Sequence, residues 1–234
     1  MTKLFVMSDI HSYYDEMQKA LNDAGFDINN PEHVFISLGD LLDRGSKPKE
    51  CLDFVNNLPD DRKVLIMGNH EELMDDCIER DFFFSHDWHN GTAETVKILT
   101  DSLQPAVMEN CEAWKKYRNS LVNYYEIDRY IFVHGWIPID FLTYEYLSSW
   151  REVGDWRRAR WYNGMEMWGM DYREPGKTIV CGHWHTSYGH SRFDNNGSEF
   201  GDDAVFTPFR KDGIVAIDAC TAHTNFCNCL VLTI

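Results

Sequence analysis

Asp9 and His11 stand two residues apart just beyond an apolar run, KLFVM at 3–7. In extended chain, residues i and i+2 project to the same side, so a carboxylate and an imidazole there can reach one hard or borderline cation. Taken alone, the pair also fits a turn in which Asp9 caps the helix that follows. Four further stretches repeat the chemistry. They are GDLLDRG at 39–45, with Asp40, Asp43 and Arg44; GNHEE at 68–72, with Asn69, His70 and Glu71; HG at 134–135, with His134; and GHWH at 182–185, with His183 and His185. Carboxylate, amide and imidazole are ligands for divalent metals, and the adjoining glycines let the backbone turn sharply and approach a ligand closely. One such ending is usually a satisfied loop residue, but five in order point to a metal site.

Each stretch follows an apolar run of strand length. Strands are expected at 3–7, 33–38, 63–67, 130–133, 178–181 and 213–218, with a closing strand within 227–233. Helical patterns at 13–24, 47–58 and 71–80 alternate with the first three, which predicts α/β architecture. In open α/β sheets the carboxyl ends of the strands are where sites form. Residues 81–120 read as mostly helical. Residues 141–175 concentrate Trp150, Trp156, Trp161 and Trp168 with Arg157, Arg158 and Arg160. Residues 186–212, rich in Gly, Asp and Asn, read as a long loop. With no internal repeat and no linker composition, residues 1–234 are expected to form one domain, with 81–120 and 141–175 as elaborations.

Formal net charge is −16 across 234 residues, which argues against a nonspecific grip on nucleic acid. It also means that an anionic substrate must be drawn in by local positive charge, which divalent metals would supply. No apolar stretch is long enough to span a membrane. Seven cysteines without framework spacing, and an N-terminus without a leader pattern, place the protein in the cytoplasm as an expectation. The pair Cys227 and Cys229 lies in an apolar run and reads as core.

The ordered series D-x-H, G-D-x-x-D-R-G, G-N-H-E, H-G and G-H-x-H resembles the signature of the calcineurin-like metallophosphoesterases. Its D-R-G and G-N-H-E forms are most similar to the phosphoprotein phosphatase branch, with its small bacterial and phage enzymes and the symmetrical diadenosine tetraphosphatases. The resemblance implies a metallophosphoesterase-like β-sandwich flanked by helices in αββα layers. It implies two divalent metal ions, manganese first, with iron, zinc or nickel as alternatives. Asp9 and His11 would hold the first, Asp40 would bridge, and Asn69, His134 and His183 would complete the second. His185 would be a further ligand, or else a histidine facing the ligands or the substrate. A metal-bridging hydroxide would then attack phosphorus directly, with no covalent phosphoenzyme. Arg44 would contact the phosphate, and His70, partnered by Asp43, would protonate the leaving group. Arg160 is chosen over Arg157 and Arg158 as a second phosphate contact, although cation–π packing of the Trp/Arg cluster explains those arginines equally well. His86 and His89 could overlook the pocket or be plain loop residues. Ser12 and Trp136 depart from the family pattern, and bulk at Trp136 would narrow the pocket. The expected substrate is a phosphoprotein; the alternative is a dinucleoside polyphosphate. A noncatalytic metal-binding scaffold is the reading from another class, and it conflicts with a complete ligand set.

Overall fold

In the computed structural model, which describes residues 1–140 and 142–234, the apolar runs assemble into two five-stranded sheets. The chain opens with β1 (Lys3–Met7), α1 (Tyr14–Asp23), β2 (His33–Ser37), α2 (Pro48–Asn57), β3 (Lys63–Ile66) and α3 (Asn69–Arg80). Helices α4 (Ser85–Asn90), α5 (Thr92–Thr100) and α6 (Glu112–Asn119) lead to β4 (Leu121–Val122). Next come β5 (Tyr125–Ile127), β6 (Tyr130–Phe132) and a small ribbon, β7 (Ile139–Asp140) with β8 (Glu145–Tyr146). The last third holds α7 (Arg157–Arg160), α8 (Gly164–Gly169), β9 (Thr178–Cys181) and α9 (Thr186–Phe193). It closes with β10 (Phe209–Lys211), β11 (Ile214–Ala216), α10 (Thr221–Thr224) and β12 (Leu230–Thr233).

The first sheet runs β12-β1-β2-β3-β4, parallel from β1 to β4, with β12 antiparallel beside β1. The second runs β10-β11-β9-β6-β5, with β11, β9 and β6 parallel and an antiparallel strand at each edge. Alternation along the strands decides the layers. Leu4 and Val6 of β1 enter the core between the sheets with Ile36, Ile66, Phe132, Val180 and Val215. Phe5 and Met7 belong instead to the core that holds Leu21, Leu52, Val55 and Tyr117 from the helices. The second sheet sends Ile131, Ile179 and Ile214 outward to Trp136, Trp150, Trp156 and Met165. The result is the expected αββα sandwich. Because its parallel strands are covered on both faces, they read as nearly continuous apolar runs.

Two expectations fail for physical reasons. Residues 186–212 contain α9 and β10 rather than one long loop. The buried residues of α9 are Thr186, Ser187, Gly189 and His190, small or polar, so no apolar stripe marks it in the sequence. Trp136 does not narrow the site. It is fully buried in the outer core and donates its indole N–H to the Tyr172 carbonyl at 2.8 Å. Among the described residues no helix is long and apolar enough to cross a membrane.

Candidate active site

Strands β1, β2 and β3 end side by side; the turns after the first two carry Asp9 and Asp40, Asn69 opens α3 after the third, and β6 and β9 of the other sheet bring His134 and His183 to the same place. Hydrogen bonds cross between the halves, among them one in which His134 Nδ1 donates to the Leu38 carbonyl at 2.8 Å and one in which the His183 amide donates to Asp9 Oδ2 at 2.9 Å. Asp9, His11, Asp40, Asp43, Arg44 and His183 all have φ between 51° and 74°. Left-handed backbone at a non-glycine residue costs on the order of 1 kcal/mol each and persists only where the surroundings enforce it. Ser12 is left-handed too, at φ 61°. At Gly68 a Cβ would overlap the Asp40 carboxylate, so the ends of β2 and β3 can approach only over a glycine.

Asp40 is shared between two groups of donors. Its Oδ2 lies 3.8 Å from His11 Nε2 and 4.0 Å from His70 Nε2, while its Oδ1 lies 3.5 Å from His134 Nε2. Thus His11, Asp40 and His70 form one group, and Asp40, His134 and His183 another, each with its ligand atoms within 4.8 Å of one another. Asn69 Oδ1 joins the second, 2.8 Å from His134 Nε2 and 2.9 Å from His183 Nδ1. His11 Nδ1 donates to the Leu42 carbonyl at 3.0 Å, as His134 Nδ1 does to Leu38. Those bonds leave the Nε2 lone pairs of both rings facing Asp40.

Burial, reinforced by neighbouring histidines, holds His11 well below the usual imidazole range and His183 near 2, so both rings are neutral. Burial also pushes the carboxyls of Asp40 and Asp218 upward, with the Asp9 charge adding to both. Neutral imidazoles, an amide oxygen and three buried carboxylates crowded together form a donor set that fits divalent cations.

Beside this cluster, His70 Nδ1 donates to Asp43 Oδ2 at 2.8 Å, and Arg44 Nη2 lies 3.2 Å from His70 Nε2. Burial opposes charge on His70, but Asp40 and Asp43 outweigh it and hold the ring at about 9. Glu71 stands behind Asp40. Its carboxylate accepts the amides of Asp40, Leu41 and Gly68 at 2.8–2.9 Å and the Tyr117 hydroxyl at 2.9 Å.

The family model for calcineurin-like phosphoesterases matches residues 2–225. The chain belongs to that family. Curated relatives include the symmetrical bis(5'-nucleosyl)-tetraphosphatases of Actinobacillus succinogenes and Psychromonas ingrahamii, each 39% identical over 67 residues. These matches take in 29% of this chain and only 23% of either relative's length. Among solved structures, a provisionally named diadenosine tetraphosphatase aligns with a TM-score of 0.60 at 13% identity, over 99% of this chain and 89% of its own. The cold-active protein-tyrosine phosphatase of a psychrophilic Shewanella aligns with a TM-score of 0.63 at 15% identity, over 99% of this chain and 75% of its own. At such identities the two structures speak for the fold alone.

In this chain a cavity of about 410 Å³ opens over the cluster, lined by Asp9, His11, Asp40, Arg44, Asn69, His70, His183 and His185 together with Asp218. Asp43 and His134 lie buried behind that wall. Asp9 and His185 are on the cavity but outside both donor groups; His185 has Nδ1 2.9 Å from Ser187 Oγ and Nε2 3.6 Å from Glu199. Arg160 does not face the cavity as expected. Its guanidinium is half of a buried pair with Glu72, at 3.3 Å, and donates to Asn123 Oδ1 at 2.7 Å. His86 and His89 are absent from the lining, where Asn90 stands instead. Asp218 went unnoticed although it ends the apolar run at 213–218, the same signal that singled out the other acids. Trp161, Trp184 and Phe200 also line the cavity, and only the fold brings them there.

Proposed function

We propose that the chain hydrolyses phosphate esters or anhydrides by direct attack of water, with two divalent cations, manganese first, as cofactors. Asp9, His11 and Asp40 would hold one cation; Asp40, Asn69, His134 and His183 would hold the other. The observation that carries this reading is Asp40, on whose single carboxylate both histidine groups converge. The cations, when bound, supply the charge that acidifies water and neutralises phosphoryl oxygens. The protein's own groups do the rest. Arg44, on the cavity wall, presents a planar fork of donors to the non-bridging oxygens. His70, held by Asp43, delivers a proton from Nε2 to the departing oxygen.

Of the two substrate classes, the dinucleoside polyphosphate has the better support. Trp161 and Trp184, 50% and 37% exposed, stand at the cavity with ring centroids 5.7 and 6.1 Å from that of His183. Exposed indoles beside a phosphate site offer faces on which bases stack. The names of the curated relatives point the same way.

The test strips the protein with chelator, reloads it with manganese, counts bound ions, and compares kcat/KM for diadenosine tetraphosphate and a phosphoserine peptide. Two ions per chain, no turnover when stripped and preference for the dinucleotide are expected. Turnover by the stripped protein would refute the metal assignment, and preference for the peptide would refute the substrate.

A further inference from the structure

Thr92 lies on α5, in the helical stretch between β3 and β4, far in sequence from any motif of the site. Its hydroxyl donates to Asp43 Oδ2 at 2.7 Å, the same oxygen that accepts from His70 Nδ1 at 2.8 Å. The other oxygen of that carboxylate, Oδ1, is buried and has no hydrogen-bond partner among the described residues. One oxygen therefore carries both donors, and rotation of the carboxylate would strand both at once. Thr92 and Asp43 are buried, at 0% and 1% exposure, so water does not compete.

A second contact fixes the same corner. Gly91 precedes Thr92 at φ 86°, and a Cβ there would overlap the Arg44 backbone nitrogen. The start of α5 is thus seated directly on the backbone of Asp43 and Arg44, themselves left-handed at φ 74° and 61°. No side chain caps α5, so the Thr92 hydroxyl is spent on Asp43 rather than on its own helix. If it served only the fold, it would be an ordinary buried hydrogen bond. Its position on the oxygen that orients His70 gives it a chemical consequence as well.

We propose that Thr92 is a positioning residue for proton delivery, holding Asp43 so that His70 Nε2 points at the leaving oxygen. The inference rests on the phosphoester-hydrolase reading above. In the step concerned, the water oxygen forms a bond to phosphorus while the bond from phosphorus to the leaving oxygen breaks. The electron pair of the broken bond stays on that oxygen, which takes the proton from Nε2. The attacking water gives up a proton to solvent, and His70 is later reprotonated from solvent. A poor leaving group needs that proton, whereas a strongly acidic phenol departs without it.

Thr92→Val, Thr92→Ala and Thr92→Ser proteins, loaded with manganese, are compared with wild type on aryl phosphates from 2,4-dinitrophenyl to phenyl. Thr92→Val and Thr92→Ala should lose about tenfold more kcat/KM on phenyl phosphate than on the dinitrophenyl ester, so that dependence on leaving-group pKa steepens. Thr92→Ser, which keeps the hydroxyl, should keep the wild-type slope. Equal losses on both esters would overturn the proposal, because a merely structural role lowers every rate alike. If circular dichroism shows that neither hydroxyl-free protein folds, Thr92 is a structural group and the proposal is likewise overturned. A wild-type protein silent on every ester and on diadenosine tetraphosphate would instead refute the hydrolase reading itself.

Discussion

Residues 81–120 and 141–175 both add to the sandwich, but they meet the site with different kinds of group. The first stretch reaches the chemistry through buried polar side chains: Thr92 on Asp43 and Tyr117 on Glu71. The second is tied mainly to itself and to the outer face. Arg151 bonds Glu126 and Glu174, Tyr146 and Trp150 also donate to Glu174, and Arg157 pairs with Glu72 and Asp76. It touches the cavity through exposed Trp161. The contrast teaches a division of labour. Changes in 81–120 should act on turnover and on the fold together, and changes at Trp161 on substrate binding alone.

The sharpest break comes from the residue that the first stretch braces. Glu71→Ala strands three buried amides and the Tyr117 hydroxyl, and should destabilise the protein by roughly 3–5 kcal/mol in urea unfolding, with activity lost. A cost under about 1 kcal/mol would mean that Glu71 does not organise the Asp40 turn. Trp161→Ala should weaken binding of a dinucleoside polyphosphate by about 1–3 kcal/mol, seen as a higher KM, and leave 4-nitrophenyl phosphate unaffected. A similar rise for both substrates would erase the proposed contrast. Tyr117→Phe should cost about 1 kcal/mol, measured from the urea midpoint, since it removes one neutral donor from a carboxylate that keeps three amides.

The smallest effect lies in the outer stretch. The Arg151 hydrogen bond holds the Glu126 carboxyl at about 2, below its ordinary 4.5. A depressed carboxyl stabilises the fold fully above its unfolded value and loses that contribution as pH falls from there towards 2. Glu126→Gln should therefore flatten the fall in stability across that acid window and change little at neutral pH, the pair being partly exposed. Urea midpoints at stepped pH decide it.

The sandwich was legible because five strands end in ligand-type residues and their apolar runs are long enough to recognise. Asp40, Asn69 and His183, which the structure brings into the second donor group, each stand one glycine beyond such a run. What escaped notice has other causes. Strands β4, β5, β7, β8 and β10 have two or three residues each, too few for alternation to show. Thr92 and Tyr117 carry no local mark, since their partners lie 49 and 46 residues away. Arg160 was misjudged because sequence gave its charge but not the buried Glu72 that takes it up.

The proposed donors come from two sheets: Asp9, Asp40 and Asn69 follow strands of one, His134 and His183 strands of the other. A cation gripped from both sides would act as a rivet, because separating the halves must release it. Melting would then be linked to metal concentration, with stability gaining about 2.7 kcal/mol when free ion reaches roughly a hundred times its dissociation constant. Loss of the ion would then cost the fold that contribution, so a cell short of metal would hold this protein in a less stable state.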